Sequence, residues 1–271
     1  MRETKIDVVL LTKNSLEPCL RECLDSLYAN IPVNRLLVVD GGSTDGTLDL
    51  VQTYPGAHVI DDPDGNRATA RQKGIEAAET AWHLHLDSDV ILCKDWFKKA
   101  QRRIRQDVGA IWGVAIPKDQ HVLNIAKAMA KLYRKDVADY IIQQQHLKRY
   151  LTHDTLIRTE AVKDIKIPAD LHIWEDHYIG TYVISKNYKW LTTKDPYCTH
   201  YFHERRGFED FVNSGRLARK VNAYTSRQVL LRLGLAIPKS FVIIAVTGDL
   251  RASKLQMENY IGLAKGWYGS A

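Results

Sequence analysis

Two carboxylates separated by one residue, in Asp87-Ser88-Asp89, follow an apolar and histidine-containing run at 82–86. The run predicts a buried strand, so the carboxylates lie where a strand ends in a loop. In open α/β sheets, ligands bind beyond the carboxyl ends of the strands, and carboxylates there can hold a divalent cation that neutralises a diphosphate. A solvated turn is the alternative, because Asp readily bonds to its own backbone.

A second acidic residue, Asp40, closes the apolar run 36–39 and opens a loop that contains Gly41, Gly42 and Gly46. Glycine allows backbone amides to approach a ligand closely, and a carboxylate at a strand end can accept a hydrogen bond from a nucleobase. The loop has neither the lysine and spacing of a P-loop nor the third glycine of a dinucleotide fingerprint. A capped turn between a strand and a helix therefore remains the alternative.

Strands and helices alternate along most of the chain and must position these residues. The predicted strands are 6–11, 36–39, 57–60, 82–86, 109–116 and 155–158. The predicted helices are 16–28, a short one ending at 51, 67–79, one long helix at 123–146, and 174–187. Such alternation predicts an α/β fold with a doubly wound, mainly parallel sheet. Asp40 and Asp87 then lie on the same rim of that sheet.

The alternation stops at about residue 205, and basic helices replace it. We therefore expect a catalytic domain at 1–210 and a basic, apolar, helical C-terminal extension at 211–271. Within 1–210, we expect two halves, about 1–116 and about 117–210. A chain of 271 residues with 45% hydrophobic side chains is large enough for this arrangement.

Charge and cysteine content limit the class of protein. The net charge of +6 and the pI near 9.0 suit an anionic partner such as nucleotide phosphates, acidic lipid or nucleic acid. Four cysteines do not make a disulfide framework, and Cys19 and Cys23 lack partners at zinc-site spacing. Residues 1–5 lead directly into a strand without the apolar segment of a signal peptide. These features favour a cytoplasmic location.

Five segments, taken together, resemble the family-2 glycosyltransferases of the Rossmann-like GT-A fold. They are Leu-Thr-Lys-Asn at 11–14, Val-Val-Asp-Gly-Gly-Ser-Thr-Asp-Gly-Thr at 38–47, Arg-Gln-Lys-Gly at 71–74, Leu-Asp-Ser-Asp at 86–89 and Trp-Glu-Asp at 174–176. The segments occur in that family's order and at its spacing. The resemblance covers roughly residues 5–210, and it implies that about 1–116 is the nucleotide-sugar half and about 117–210 the acceptor half of a catalytic domain.

The resemblance implies an inverting glycosyltransferase, and a hexosyltransferase in particular. Such an enzyme moves a sugar from a nucleoside diphosphate, here UDP or GDP, to an acceptor in a single displacement assisted by Mg²⁺ or Mn²⁺. The Gln-x-x-Arg-Trp sequence of processive polysaccharide synthases does not occur in the chain. A single-transfer enzyme is therefore favoured over a polymerase.

The same resemblance implies the nucleotide-binding residues. Asp40 would bind the base, Thr12 and Asn14 would line the nucleotide pocket, and Arg71 would contact the nucleotide. The first strand ends in Leu-Thr-Lys-Asn, whereas Pro-x-Tyr-Asn is commoner in the family. The residue that stacks on the base is therefore unassigned.

The resemblance implies that Asp89 is the main metal ligand, that Asp87 faces the ribose or the sugar, and that Asp176 is the catalytic base. A physical reason also supports Asp176, because an acceptor hydroxyl attacks from the face opposite the nucleotide and needs a base across the sugar from the metal. Glu175 is a candidate contact for the diphosphate or the acceptor. The alternative for this acidic pair is stabilisation of a helix N-terminus, worth about 0.3–1 kcal/mol for each residue.

Histidines are candidates for a further metal ligand. His200 and His203 follow the acidic helix, and we favour His203 because Arg205 and Arg206, which could clamp the leaving diphosphate, lie beside it. Surface or packing roles are the alternative for this pair. The two histidines within 83–85 alternate along a strand and are predicted to lie in the core.

The C-terminal extension combines apolar pieces at 229–237 and 241–246 with basic residues. These are Arg216, Arg219, Lys220, Arg227, Arg232 and Lys239. Its longest uncharged piece is shorter than the roughly 20 residues of a spanning helix. We expect it to lie peripherally on the cytoplasmic face of a membrane and to present a lipid-linked acceptor. A helical pair packed on the catalytic domain is the alternative.

Two other classes of function compete with glycosyl transfer. A nucleotidyltransferase could use a related sheet and metal, but it would not need the acidic pair at 175–176, and the first strand lacks the expected glycine-rich loop. A membrane-surface or nucleotide-binding module without transferase activity would rely on the basic tail. Nucleic acid is not an expected partner, because the acidic rim would then have no role.

Overall fold

The computed structural model describes residues 5–146, 149–201 and 207–269. Its strands are β1 Ile6–Thr12, β2 Val33–Asp40, β3 Ala57–Asp61, β4 Trp82–Asp87, β5 Val90–Leu92, β6 Val108–Pro117, β7 Asp154–Arg158 and β8 Lys189–His200. Its helices are α1 Leu20–Asn30, α2 Thr47–Gln52, α3 Arg67–Ala77, α4 Trp96–Gln101, α5 Gln120–Leu132, α6 Val137–His146, α7 Thr159–Val162, α8 Glu175–Ser185, α9 Phe208–Lys220, α10 Ser226–Gly234, α11 Ala236–Thr247 and α12 Leu250–Tyr268.

The chain divides into two compact units. The first unit comprises Met1–Ile116 and Tyr150–His203, and the second comprises Pro117–Arg149 and Glu204–Ala271. This grouping differs from the predicted division at residue 210, because 117–149 belongs with the C-terminal helices. The physical reason is burial: Ala128 and Met129 of α5 pack in one apolar cluster with residues of α11 and α12.

The first unit contains one sheet with the strand order β3-β2-β1-β4-β7-β6-β8-β5. Strands β3, β2, β1 and β4 run parallel, as the alternation of apolar runs and helices predicted. Strand β7 is antiparallel to both β4 and β6, and β5 is antiparallel to β8. The mainly parallel α/β fold with a helical C-terminal region is therefore confirmed, with antiparallel pairs beyond β4.

The core of the first unit explains why β1 contains a continuous apolar run at residues 8–11. Leu10 of β1 and Leu84 of β4 are fully buried and share a cluster with Leu20, Leu24 and Leu27 of α1. Strands covered by helices on both faces need apolar residues on both sides, and so the period-two alternation is lost.

The two histidines of β4 lie in the core, as predicted. Both are fully buried, and His83 Nδ1 lies 2.8 Å from the hydroxyl oxygen of Thr159. Burial lowers the pKa of His83 to about 3, which keeps its ring neutral.

Two helix predictions need correction. The single long helix predicted at 123–146 is two helices, α5 and α6. The break lies at Arg134, whose φ of 54° is left-handed, and Tyr133 stacks on Tyr140 across it with ring centroids 5.9 Å apart. The helix predicted from residue 16 begins at Leu20, after Pro18, and Leu16 lies outside it. The stacking of Tyr133 on Tyr140 forms only in the folded protein, so the spacing of apolar residues does not indicate the break between α5 and α6.

The second unit depends on a close approach between α9 and α12. A Cβ atom added at Gly266 would lie 1.8 Å from the carbonyl oxygen of Val212, and one added at Gly215 would lie 2.2 Å from that of Leu263. Only glycine permits these backbones to approach so closely. Among the described helices, no single one is long and apolar enough to cross a membrane, whereas α10 and α11, bent by 46°, meet that length and composition together.

A buried ion pair in the first unit leads to a stability prediction. The carboxylate of Asp7 is buried and accepts hydrogen bonds from Arg35 at 2.6 Å, Asn34 at 2.9 Å and the backbone N–H of Glu79 at 2.9 Å. Burial alone would raise the pKa of Asp7, but these donors outweigh it and lower the pKa from 3.8 to about 2.

We expect Asp7 to contribute stability that is complete above pH 3.8 and is lost as the pH falls through about 2. The linked free energy is roughly 2 kcal/mol. Urea unfolding of the wild type and of Asp7→Asn, measured from neutral pH to acid, tests this. The variant should be less stable at neutral pH and should lose less stability in acid. Parallel stability curves for the two proteins would contradict the assignment.

Candidate active site

Three strand ends place polar side chains on one rim of the sheet in the first unit. In the parallel pairing of β1 with its neighbours, Thr12 is opposite Asp40 of β2, and Leu11 is opposite Asp87 of β4. The predicted juxtaposition of Asp40 and Asp87 at the carboxyl ends of the strands is therefore confirmed. This is the edge at which open α/β sheets bind ligands.

Asp40 organises the loop that follows β2. Its buried carboxylate accepts hydrogen bonds from the hydroxyls of Thr12 at 2.7 Å and Ser43 at 2.6 Å, and from the backbone N–H groups of Gly42 at 2.9 Å and Ser43 at 2.7 Å. Burial would raise the pKa of Asp40, but these donors lower it below its ordinary value. Asp40 is thus held as a carboxylate, and its contact with a nucleobase stays a prediction.

The loops after β1 and β2 are joined through Asn14. The side-chain oxygen of Asn14 accepts a hydrogen bond from the backbone N–H of Thr44 at 2.8 Å. The backbone N–H of Asn14 donates to the hydroxyl of Ser43 at 2.8 Å. Asn14 has a φ of 49° and Gly42 a φ of 86°, and Asn and Gly tolerate this left-handed region best. The predicted pocket-lining residues Thr12 and Asn14 therefore shape the loops that would surround a nucleotide.

Arg71 of α3 forms an ion pair with Asp87. Its guanidinium donates to Asp87 Oδ1 at 2.5 Å and lies 3.3 Å from Nδ1 of His85, and the side chain is only 3% exposed. Burial would raise the pKa of Asp87, but the charge of Arg71 lowers it below the ordinary value. The structure thus gives Arg71 a partner that the sequence did not indicate, and its contact with a nucleotide stays a prediction.

Asp89 has an imidazole beside it. Strand β5 pairs with β8 so that Val90 is opposite His200, and this register places His200 Nε2 3.2 Å from Asp89 Oδ1. One donor atom from each of Asp87, Asp89 and His200 lies within 4.8 Å of the other two. Two carboxylates and one imidazole form a donor set that fits a divalent cation.

The favoured histidine of the sequence prediction, His203, lies outside the described residues, as do Arg205 and Arg206. Their assignments as a metal ligand and as diphosphate contacts stay predictions. His200, the less favoured of the two histidines, is the one that the structure places beside Asp89. The pairing of β5 with β8, two strands that the apolar pattern does not mark, decides this position.

The acidic pair opens α8 after a strained residue. Trp174 is almost fully buried and has a φ of 82°, an uncommon conformation for a bulky side chain, and its ring packs edge-on against His177. Glu175 and Asp176 are both buried, and Asp176 Oδ1 accepts the N–H of His177 at 2.7 Å. Strain of this kind persists only where the surroundings enforce it, and it clusters at functional sites.

Helix α8 contacts α3 and β8, the elements that carry Arg71 and His200. The candidate base Asp176 is therefore held by a helix separate from the rim strands but packed on the same framework. The predicted chemistry needs a base on a different element from the metal ligands, and the candidate ligands at the strand ends and the candidate base on α8 meet that requirement.

A buried polar cluster behind the rim has no counterpart in the sequence predictions. Trp112 Nε1 donates to His153 Nε2 at 3.1 Å, His153 Nδ1 lies 2.8 Å from Asp154 Oδ1, and Trp96 Nε1 donates to Asp154 Oδ2 at 2.9 Å. The carbonyl of His153 also accepts the N–H of Asp87 at 3.0 Å. The sequence signal that could have indicated this cluster is the pair His153-Asp154 at the start of a buried strand. The cluster positions the backbone of Asp87 from behind.

Comparison with known sequences identifies the family. Residues 7–166, more than half of the chain, match the family described as glycosyl transferase family 2. Among curated proteins, no match is found.

Solved structures share the fold over nearly the whole chain. The mannosyltransferase PcManGT from Pyrobaculum calidifontis, in complex with GDP-Man and Mn²⁺, has a TM-score of 0.65 at 17% identity, covering 98% of this chain and 88% of its own. S. aureus TarS 1-349 in complex with UDP-GlcNAc has a TM-score of 0.60 at 19% identity, covering 97% and 90%. At these identities the likeness shows the fold alone.

The family match covers β1 to β7 and includes the rim residues Thr12, Asp40, Arg71, Asp87 and Asp89. It decides among the classes left open by the sequence, because a nucleotidyltransferase or a module without transferase activity does not fit it. The chain belongs to glycosyl transferase family 2 and is a glycosyltransferase of the GT-A fold.

Proposed function

We propose that the protein is an inverting glycosyltransferase that moves a sugar from a nucleoside diphosphate to an acceptor hydroxyl in one metal-assisted displacement. The observation that carries the proposal is the convergence of Asp87, Asp89 and His200 at the carboxyl ends of the strands, within 4.8 Å of one another. PcManGT with GDP-Man and Mn²⁺ and TarS with UDP-GlcNAc support GDP or UDP as the donor nucleotide.

Asp89, His200 and one oxygen of Asp87 would hold Mn²⁺ or Mg²⁺. The cation, when bound, neutralises the charge that develops on the leaving diphosphate. Arg71 keeps Asp87 ionised and fixes the direction of its carboxylate, since one of its oxygens is already paired at 2.5 Å. Asp40 fixes the loop at the adjacent strand end, where the base and ribose would lie, because its carboxylate accepts the backbone N–H groups of Gly42 and Ser43.

Asp176 would accept the proton of the acceptor hydroxyl as the hydroxyl oxygen bonds to the anomeric carbon. The bond from that carbon to the diphosphate oxygen breaks, and its electron pair leaves with the diphosphate. A single displacement inverts the anomeric configuration. The buried position of Asp176 on α8 supports this role, because exclusion of water keeps the base available to the acceptor.

For the acceptor, we propose a hydroxyl on a lipid-linked molecule, with the enzyme peripheral on the cytoplasmic face of a membrane. A glycan acceptor is the alternative. The supporting observation is the combination of exposed apolar and basic residues in the C-terminal helices.

A thermal-shift panel tests the donor site. UDP, GDP and ADP, each with and without Mn²⁺ or Mg²⁺, are compared with the corresponding nucleosides. We expect UDP or GDP to raise the melting temperature more with a cation than without, since a ligand at a hundred times its Kd adds about 2.7 kcal/mol of stability. If no nucleoside diphosphate gives cation-dependent stabilisation, the proposed donor site is wrong.

A further inference from the structure

Helix α11 exposes apolar residues and buries polar ones. Ile237 and Phe241 are 60% and 68% exposed, and Ile244 continues the same face at helical spacing. The buried side of α11, which packs within the second unit, includes Lys239 and Ser240 beside Ala236 and Ile243. A helix on the surface of a globular protein in water normally has the reverse arrangement.

The buried polar residues of α11 have partners inside the second unit. The ammonium of Lys239 donates to the hydroxyl of Tyr260 at 3.1 Å and lies 5.7 Å from the ring centroid of Tyr133. Ser240 and Ser253 exchange hydrogen bonds between hydroxyl and carbonyl at 3.3 and 3.2 Å. The charge of Lys239 is therefore directed inward, away from the exposed side of α11.

Helix α10 extends this arrangement. Leu230 and Leu231 are exposed, whereas the guanidinium of Arg232 lies 4.2 Å from the ring centroid of Tyr224. Beyond α11, Asp249 caps α12 and lies 2.8 Å from Nδ1 of His121. We call the exposed apolar side chains of α10 and α11 together the apolar face: Leu230, Leu231, Leu233, Ile237, Phe241 and Ile244.

The charges that flank the apolar face in the sequence indicate what covers it. Arg227 in the first turn of α10 and Arg251 in the first turn of α12 are exposed. In residues 211–257, all of which the structure describes, Asp249 is the only acidic residue. The basic residues there are Arg216, Arg219, Lys220, Arg227, Arg232, Lys239, Arg251 and Lys254. A second copy of this chain would bring like charges together, whereas anionic lipid headgroups would neutralise them.

We propose that the apolar face inserts into the surface of an anionic lipid membrane, with Arg227 and Arg251 at the level of the headgroups. Exposed apolar patches of this kind mark interaction sites, and an apolar helical face flanked by basic residues is typical of binding in the membrane interface. The purpose that we assign to the apolar face, to hold the enzyme beside a lipid-linked acceptor, rests on the proposed function. Membrane binding itself requires neither donor nor acceptor.

Vesicle flotation tests the proposal with the full chain. The protein is mixed with vesicles of phosphatidylcholine and phosphatidylglycerol, or of phosphatidylcholine alone, at low and high salt. We expect flotation with the anionic vesicles at low salt and less with neutral vesicles or at high salt. Protein that stays in the soluble fraction under every condition overturns the proposal, while the thermal-shift panel reports on the donor site separately.

Variants identify the surface. The double variant Ile237→Glu/Phe241→Glu should lower vesicle affinity by at least about tenfold, because two inserted side chains are replaced by anions. The matched control is Leu132→Glu/Ile261→Glu, which makes the same charge change at exposed positions of α5 and α12 in the same unit. Equal loss in both variants, or in neither, contradicts the assignment of the face.

A labelled variant keeps the test decisive if a glutamate variant does not fold. The four native cysteines are free and buried, so Phe241→Cys offers one accessible thiol for a polarity-sensitive fluorophore. We expect a blue shift on addition of anionic vesicles, and none for the same label at Leu132→Cys. If instead the wild type is a stable dimer that Ile237→Glu/Phe241→Glu dissociates, and no blue shift occurs, a second copy covers the face and the proposal is wrong.

Discussion

Asp89→Ala should abolish the effect of a divalent cation on nucleoside diphosphate binding. Without Asp89, the cation would retain one oxygen of Asp87, whose other oxygen pairs with Arg71, and the imidazole of His200. This set is too small to hold the ion against water. We expect affinity for the diphosphate in the presence of Mn²⁺ to fall by at least roughly 10- to 100-fold, the range seen for loss of even an outer partner of a metal site.

Isothermal titration with the diphosphate, with and without Mn²⁺, measures this effect. Asp107→Ala is the matched control, because Asp107 is an exposed carboxylate of the same unit that pairs with Lys189. His200→Ala should give a smaller loss than Asp89→Ala, since it leaves both carboxylates in place. An undiminished Mn²⁺ effect in Asp89→Ala would show that the metal lies elsewhere.

Asp176→Asn should leave donor binding nearly unchanged and reduce transfer to a hydroxyl acceptor by roughly 10² or more. The amide keeps the shape of the side chain and can still accept the N–H of His177, so α8 should retain its N-terminal turn. It cannot take the proton of the acceptor. The loss should therefore be in kcat rather than in the Kd of the donor.

Single-turnover transfer and donor titration, made on the same preparation, separate these quantities. Asp164→Asn is the matched control, because Asp164 is an exposed acid of the same unit, paired with Lys186 at 2.6 Å. Full turnover in Asp176→Asn would move the base to another residue, or would indicate an acceptor that is already ionised. A large loss of donor affinity would instead give Asp176 a structural role.

The parallel half of the sheet was predictable because its signals are local. Strands β1, β2 and β4 each contain a buried, largely apolar run that leads to Thr12, Asp40 or Asp87, and parallel pairing brings equivalent ends to one edge. The antiparallel half was less visible. Strand β8 mixes Lys, Thr and Asp with apolar residues, so no run marks it, and β5 has only three residues.

Partners across the fold could not be read from spacing. Arg71 pairs with Asp87, 16 positions away, because α3 packs on β1 and β2 and β4 is the other neighbour of β1. His153 and Asp154 meet Trp112 and Trp96 through the pairing of β7 with β6 and the packing of α4. Such contacts depend on strand order, which has no local signal in the chain.

The α/β class, the rim of the parallel strands and the family could be predicted without a structure, since they follow from apolar periodicity and from motifs within a few residues of one another. Tertiary structure alone decided that His200 lies beside Asp89, that 117–149 groups with the C-terminal helices, and that α11 turns Lys239 inward. Each of these depends on which surfaces meet after the chain folds. The contacts that stabilise such surfaces join residues that are distant in sequence, so no local pattern indicates them.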